Sequence, residues 1–325
     1  MDEPRGEFDL IERFFRPLAG PGALALADDA AVLPPPPAGT DLVATCDTMV
    51  AGTHFLDADP ADAIAHKLLA VNLSDLAAMG ADPAHYLLAT SWHAVPPDAW
   101  LERFAAGLGA MQRDYGILLA GGDTTRTAGP LTLTLTALGT VPHGQALRRS
   151  TARPGDLVFV SGTIGDAALA LRLAGTGVAA DLVGLAQLVA RLQRPTPRLA
   201  LGRALRGVAS AAMDVSDGLV GDLGHIVAQS GCGAELRAAA IPVSDAAARL
   251  LADEPDLMAD VLGGGDDYEL LFTAPPARRD DVLRAAAAAA TPVAEIGRMT
   301  AAGGVTVLDR DGAPLSIQRT GFRHF

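Results

Sequence analysis

Twice in this chain a short apolar run empties into an aspartate-bearing string of glycine and small hydroxyl residues. Residues 117–120 lead into Gly121-Gly122-Asp123-Thr124-Thr125, and residues 209–213 lead into Asp214-Val215-Ser216-Asp217-Gly218-Leu219. Short buried strands that end in Gly/Asp loops, interleaved with helical spacing, describe an α/β chain with its polar residues gathered at element ends. Related strings stand upstream, at Asp28-Asp29, Thr45-Cys46-Asp47-Thr48 and Asn72-Leu73-Ser74-Asp75.

The pattern divides into two halves. Helical spacing is expected over residues 7–15, 61–79 and 97–115, the last opened by Pro97-Asp98. Strands are expected just before Asp28, over 42–45, 86–91 and 117–120, and over 131–138, where Leu and Thr alternate. The polar, turn-rich stretch 142–154 reads as a linker between a domain at 1–141 and a second at 155–325. Beyond it, strands are expected over 156–161, 209–214 and 268–273, with strand pieces in 296–308. A long Ala/Leu helix follows Gly165-Asp166, and further helices are expected over 218–231 and 278–290.

The formal charge is −13, so no basic stripe exists to neutralise a nucleic-acid backbone or an anionic membrane. Cys46 and Cys232 lack the spacing of a zinc site or a disulfide framework. The start Met1-Asp2-Glu3-Pro4 has no basic n-region or apolar h-region, and the apolar stretch 164–192 is broken by charges. The cytoplasm is the expected compartment.

Asp28, Asp29, Asp47, Asp75, Asp123, Asp214 and Asp217 all stand in loop or element-end contexts. A helix cap or turn accounts equally for any one of them. Together, beside Gly, Ser and Thr, they point to Mg²⁺ or Mn²⁺, hard cations that take oxygen ligands. No G-x-x-x-x-G-K-[ST] string occurs and Lys67 is the only lysine, so nucleotide phosphate would be handled without a P-loop.

Other residues keep two readings. Gly121-Gly122 lets backbone approach an anion, or is an ordinary turn. Ser216-Asp217-Gly218 offers free N–H groups to a phosphate, or Ser216 caps the helix and Asp217 complements its dipole. Arg148-Arg149 neutralises a polyphosphate or is solvated linker charge. His54 bonds a ligand or is structural. Lys67 snorkels out of an apolar helix. Phe322 stacks on an aromatic ligand or plugs the tail.

The ordered set of strings resembles the thiamine-monophosphate kinases, within the AIR-synthase-like (PurM-like) ATP-binding superfamily. The matching residues are Gly6-Glu7-Phe8, Asp28-Asp29-Ala30-Ala31-Val32-Leu33, Cys46 to Phe55, Lys67 to Ala81, Gly121 to Thr125, Arg149-Ser150, Pro154-Gly155-Asp156, Asp214 to Leu219, Asp267 to Phe272 and Gly321-Phe322. They run in the family's order over nearly the whole chain. The resemblance implies a two-domain PurM-like α/β fold, each domain a small mixed sheet with helices packed on it, and a homodimer joined through the N-terminal sheets. It implies transfer of the γ-phosphoryl group of ATP to thiamine monophosphate, with several Mg²⁺ ions. Asp29, Thr45, Cys46, Asp47, Asp75, Asp123, Asp214 and Asp217 would hold the metal, with Asp123 and Asp214 central to catalysis. Gly122, Asp123, Arg149 and Ser216 would contact ATP, and His54, Asp266 and Phe322 the thiamine substrate. Two positions depart from the family pattern: Asp266 stands where a glutamate is usual, and Cys46 where a threonine is usual.

The acceptor would be a phosphate monoester with a second pKa of about 6, so no catalytic base is expected and transfer is direct and in line. The alternatives are an AIR synthase- or selenophosphate synthetase-like enzyme, or a nucleotide-binding module without catalysis. Neither cysteine lies in an N-terminal Gly-rich loop, as the selenophosphate chemistry would want.

Overall fold

The computed structural model describes residues 7–176, 182–315, 317 and 321. It divides into two compact units: Met1–Leu76 with Asp82–Gly144, and Ala77–Ala81 with residues 145–325.

The first unit opens with α1 (Glu7–Leu10) and a widened turn over Ile11–Phe15. It continues through β1 (Thr40–Val50), α2 (Ala61–Ala78), β2 (Asp82–Trp92), α3 (Asp98–Tyr115), β3 (Leu118–Arg126) and β4 (Thr132–Pro142). The sheet order is β1-β4-β2-β3, with β2 and β3 parallel and the other pairs antiparallel. The alternation of Leu and Thr on β4 works as expected: Leu133, Leu135 and Ala137 are buried while the threonines between them are half-buried. Both helices lie on the buried face. Gly139 of β4 meets Leu76 of α2, and Gln112 of α3 donates to the Tyr86 hydroxyl of β2 at 3.2 Å. The opposite face is open, with Leu42, Ala44, Cys46 and Thr48 of β1 and Leu87 of β2 exposed.

The strand expected before Asp28 is absent. Pro21–Leu26 is a 3₁₀ turn in which Leu24, Ala25 and Leu26 take φ of 49°, 55° and 55°. A left-handed run of this kind cannot pair as a strand. β3 is also longer than expected, carrying Gly121-Gly122-Asp123-Thr124-Thr125 within the strand and not in a loop after it.

The second unit contains β5 (Leu157–Ser161), α4 (Asp166–Thr176), α5 (Leu182–Gln193), α6 (Leu199–Ala204), β6 (Ala211–Asp214), α7 (Leu219–Ser230) and β7 (Gly233–Arg237). It ends with α8 (Asp245–Asp253), α9 (Met258–Gly263), β8 (Leu270–Ala274), α10 (Arg279–Ala288), β9 (Val293–Thr300) and β10 (Gly304–Leu308). Its sheet order is β10-β7-β9-β5-β8-β6, mixed through the parallel β10–β7 pair. The core joins Val158 and Val160 of β5 to Met213, Leu271 and Ile296 of neighbouring strands and to Leu219, Leu223 and Ile226 of α7. In-register Phe159 and Phe272 stack with ring centroids 5.4 Å apart. β6, at the sheet edge, is four residues long, fully buried, and ends on Asp214.

Candidate active site

In the first unit, strand alternation puts Thr45, Asp47 and Met49 on the helix-covered face of β1, where they register with Ala137, Leu135 and Leu133. The C-terminal half of α2 brings Asp75 to the same place. Thr45 Oγ1 donates to Asp75 Oδ2, and the Asp47 and Asp75 side chains are hydrogen-bonded to each other. Burial, then the neighbouring Asp75, push the Asp47 carboxyl up to about 7. Two carboxyls sharing a proton beside a hydroxyl form an all-oxygen donor set of the kind Mg²⁺ takes.

Cys46 falls on the other face of β1, exposed and in register with Thr136, so its thiol points away from this pair. Only its backbone carbonyl remains on the strand between Thr45 and Asp47.

Gly122 is required by close approach: a Cβ there would lie 1.8 Å from the Leu88 carbonyl oxygen of β2. Asp123, next along β3, is exposed and in register with Ala89, which registers in turn with Thr134 and Thr48. That row belongs to the open face, as the 2.9 Å contact between the Thr48 and Thr134 hydroxyls confirms. Asp123 is therefore not brought to Asp47 and Asp75.

His54 Nδ1 accepts the Val50 N–H at 3.1 Å, which fixes the tautomer with its proton on Nε2. Its carbonyl accepts from Lys67 Nζ at 3.0 Å. Lys67 is buried, so the expectation that it snorkels to solvent is overturned by a bond to nearby backbone. Asp29 lies in an exposed bend.

In the second unit, the segment after Asp214 is held from two sides. Val215 N–H donates to the Glu269 carbonyl, Tyr268 N–H to that of Val215 and Asp266 N–H to that of Ser216, each at 2.8 Å. The Asp266 loop thus runs beside Ser216 and Asp217. Asp266 and Tyr268 take φ of 68° and 52°, and the Tyr268 hydroxyl donates to Asp266 Oδ1 at 3.0 Å. Gly218 adopts φ 131°, and a Cβ there would meet Gly263 backbone at 2.8 Å.

The amides of Ser216, Asp217 and Gly218 are not free for a phosphate, so the first of the two readings of this string does not hold. All three donate to Asp222 Oδ2 of α7, at 3.0, 3.1 and 3.1 Å. Asp222 is 1% exposed, and burial pushes its carboxyl up to about 7 despite these bonds. Ser216 is not the cap either, because Gly218 occupies that position. Arg149 is exposed; the preceding Arg148 carbonyl accepts from Ala212 of β6 at 3.0 Å, so the arginine pair runs along the strand that ends on Asp214.

Among the described residues, no group of three or more His, Cys, Asp or Glu converges closely enough to hold a metal. Phe322 lies outside the described residues.

Family models of AIR synthase related protein match twice, the N-terminal domain over residues 27–141 and the C-terminal domain over 153–310. The chain is 46% identical to the thiamine-monophosphate kinase of Escherichia coli strain K12 over 325 residues, covering 98% of each. The chain belongs to the thiamine-monophosphate kinase family. A solved member, the thiamine-monophosphate kinase from Stenotrophomonas maltophilia K279a, superposes with a TM-score of 0.85 at 47% identity, over 95% of this chain and 98% of that one. AaThiL complexed with AMPPCP and TMP superposes with a TM-score of 0.79 at 29% identity, over all of both chains.

Within this kinase fold the site leans on residues to which the sequence reading assigned no role. Glu269 is fully buried and takes Arg198 in a two-pronged contact, Nε to Oε2 at 2.7 Å and Nη2 to Oε1 at 2.5 Å. Arg191 and Ser161 add bonds at 2.8 and 2.5 Å. Asp267 Oδ1 accepts the Gly165 N–H at 2.8 Å, whereas its buried Oδ2 has no partner. Burial holds the Asp267 carboxyl well above the usual range. Together these anchor the kinase's Asp266 loop from beneath. Asp267 and Glu269, inside the string Asp266-Asp267-Tyr268-Glu269, were the available signal, because buried carboxylates need arginine partners somewhere in the chain.

Proposed function

We propose that this chain transfers the γ-phosphoryl group of ATP to thiamine monophosphate, forming thiamine diphosphate and ADP. The observation that carries this is 46% identity over 98% of the chain to an enzyme of that name. The described complex of AaThiL with AMPPCP and TMP supports both substrates.

Several Mg²⁺ ions would be held, by Asp47 and Asp75 with Thr45 and the Cys46 carbonyl, and apart from that pair by Asp29, Asp123, Asp214 and Asp217. The oxygen donors of Thr45, Asp47 and Asp75 fit that cation, and the proton shared by the two carboxyls stands where positive charge is wanted. Bound there, the metal would neutralise phosphate oxygens and hold donor and acceptor in line. Gly122 brings backbone close to the nucleotide, Arg149 pairs with its phosphates and Ser216 offers a hydroxyl. His54 Nε2–H, Asp266 and Phe322 orient the thiamine substrate. The acceptor phosphate is mostly dianionic at neutral pH, so no side chain need remove a proton and no phosphorylated protein forms.

The open face of the first sheet supports a homodimer. Leu42 and Leu87 are 58% and 41% exposed, beside Ala44, Cys46 and the β4 threonines, a largely apolar strip over β1, β4 and β2, with Asp123 at its β3 edge, suited to a second copy. No helix among the described residues is long and apolar enough to cross a membrane. A cytoplasmic location fits the thiols of Cys46 and Cys232, which form no disulfide.

The test is direct. Purified protein with ATP, MgCl₂ and thiamine monophosphate should yield thiamine diphosphate and ADP in equal amounts. Saturable binding of both ligands without product would instead favour a nucleotide-binding module.

A further inference from the structure

Three consecutive backbone amides pointing at one spot form an anion seat. In phosphate-binding folds such a seat, at the start of a helix, receives the ligand. Here Ser216, Asp217 and Gly218 form the seat at the start of α7, and Asp222 from the first turns of the same helix fills it. The occupant is almost wholly excluded from solvent and touches the seat through a single oxygen. Gly218 at φ 131° supplies the turn that aims the amides inward, and its close contact with Gly263 leaves no room for a side chain.

We propose that Asp222 is a positioning residue for the phosphoryl transfer. Its carboxylate stands in for a bound phosphate, locks the Ser216–Gly218 turn, and so fixes where Asp214, Ser216 and Asp217 present their oxygens. The consequence is a division of labour. Nucleotide phosphate is kept off the helix start and left to side chains and metal. This rests on the function proposed above.

The geometry makes a demand that simple structural support would not. Length should matter more than charge, because the oxygen must reach three amides at once. Asp222→Ala empties the seat, Asp222→Asn keeps an acceptor at the same reach, and Asp222→Glu keeps the charge one methylene too far. Two readouts apply to the full-length protein: hydrogen exchange at residues 216–218, and steady-state kinetics with ATP, Mg²⁺ and thiamine monophosphate.

Asp222→Ala should speed exchange at those amides by about tenfold or more and lower kcat by about 100-fold, the cost of misplacing reacting groups by about an ångström. Formate, small enough to enter the vacated seat, should recover part of that loss. Asp222→Asn should retain most turnover, and Asp222→Glu should resemble Asp222→Ala in kcat while melting near the parent. If Asp222→Ala does not fold, the Asn and Glu variants carry the comparison alone. Parental kcat in Asp222→Glu, Asp222→Asn as inactive as a vacated seat, or unchanged exchange at 216–218 in Asp222→Ala would overturn the proposal. A parent that makes no thiamine diphosphate would sink the kinase function instead, and the exchange measurements would still decide whether Asp222 holds the turn.

Discussion

Asp47 of β1 and Asp75 of α2 meet carboxyl to carboxyl, hydrogen-bonded through a proton that bulk water at neutral pH would remove. The pair is assembled by a strand and a helix from distant parts of the first unit, and Thr45 ties the helix member to the strand.

Metal affinity should therefore depend on pH. A cation must displace the proton, so Mg²⁺ or Mn²⁺ binding should weaken as pH falls through about 7. In metal-free protein the sign for stability is opposite to that of a salt-bridged carboxylate. The folded-state value is raised from 3.8 to about 7, so the contribution is full below about 4 and is lost as pH rises through 7. Asp47→Asn should remove that dependence and raise the melting temperature of chelated protein above pH 7.5 by about 2–4 °C. Calorimetric titration with Mn²⁺ from pH 5.5 to 8.5, beside thermal melts in EDTA, reads both. Affinity flat across that range would contradict the pairing.

Asp123→Asn and Asp214→Asn should each lower kcat by about 100-fold or more while leaving the circular dichroism spectrum unchanged. Asp123 is exposed on an edge strand, so its replacement should cost little stability. Near-parental turnover in either variant would remove that residue from the metal set.

The two adjacent glycines of β3 should behave differently. Gly122→Ala drives a methyl into the Leu88 carbonyl, 1.8 Å away, and should destabilise the unit by about 1–3 kcal/mol or more through forced strand separation. Gly121→Ala meets only the Leu87 side chain at 3.4 Å, an exposed residue that can move, and should melt near the parent. Equal melting temperatures for the two variants would contradict the register of β2 and β3.

Glu269→Ala leaves two arginines facing a hole. Breaking a buried ion pair from one side costs about 3–5 kcal/mol, so the variant should melt far below the parent or fail to fold. Urea unfolding measures this. Because the residue lies beneath the Asp266 loop, any folded fraction should show a raised KM for thiamine monophosphate.

Leu42→Glu puts a charge on the open strip of the first sheet. If that strip is the contact between copies, sedimentation should show a shift from dimer to monomer, with no loss of helix or strand content. A parent that sediments as a monomer would dismiss the contact.

Much of the architecture was legible because burial patterns repeat. The helix expected over 61–79 is Ala61–Ala78, and the one over 97–115 is Asp98–Tyr115. The Leu/Thr alternation that marked β4 extends to Thr132–Pro142. What escaped was local backbone behaviour. Nothing in Leu24-Ala25-Leu26 announces three positive φ angles, since these residues ordinarily avoid them. Gly121-Gly122 read as a close approach to an anion or as a turn, yet the strand continues through it, and a neighbouring carbonyl occupies the side-chain space of Gly122. β7, α8 and α9 were missed in a stretch rich in Ala and Gly, where apolar periodicity is weak. The site was legible as a set of residue types, and less so as contacts. Asp222 gave no sign of its task, although a carboxylate four residues past a Ser-Asp-Gly helix start can reach back to those amides.

The burial of Lys67 against the His54 carbonyl has a chemical corollary. It is the chain's sole ε-amine, so every other side-chain cation outside histidine is a guanidinium. Acylating reagents, amine cross-linkers and lysine-directed modification find no exposed lysine handle on this protein. Apart from its histidines, whatever positive side-chain charge the surface offers to an anion is guanidinium and stays charged at any pH in which the fold survives.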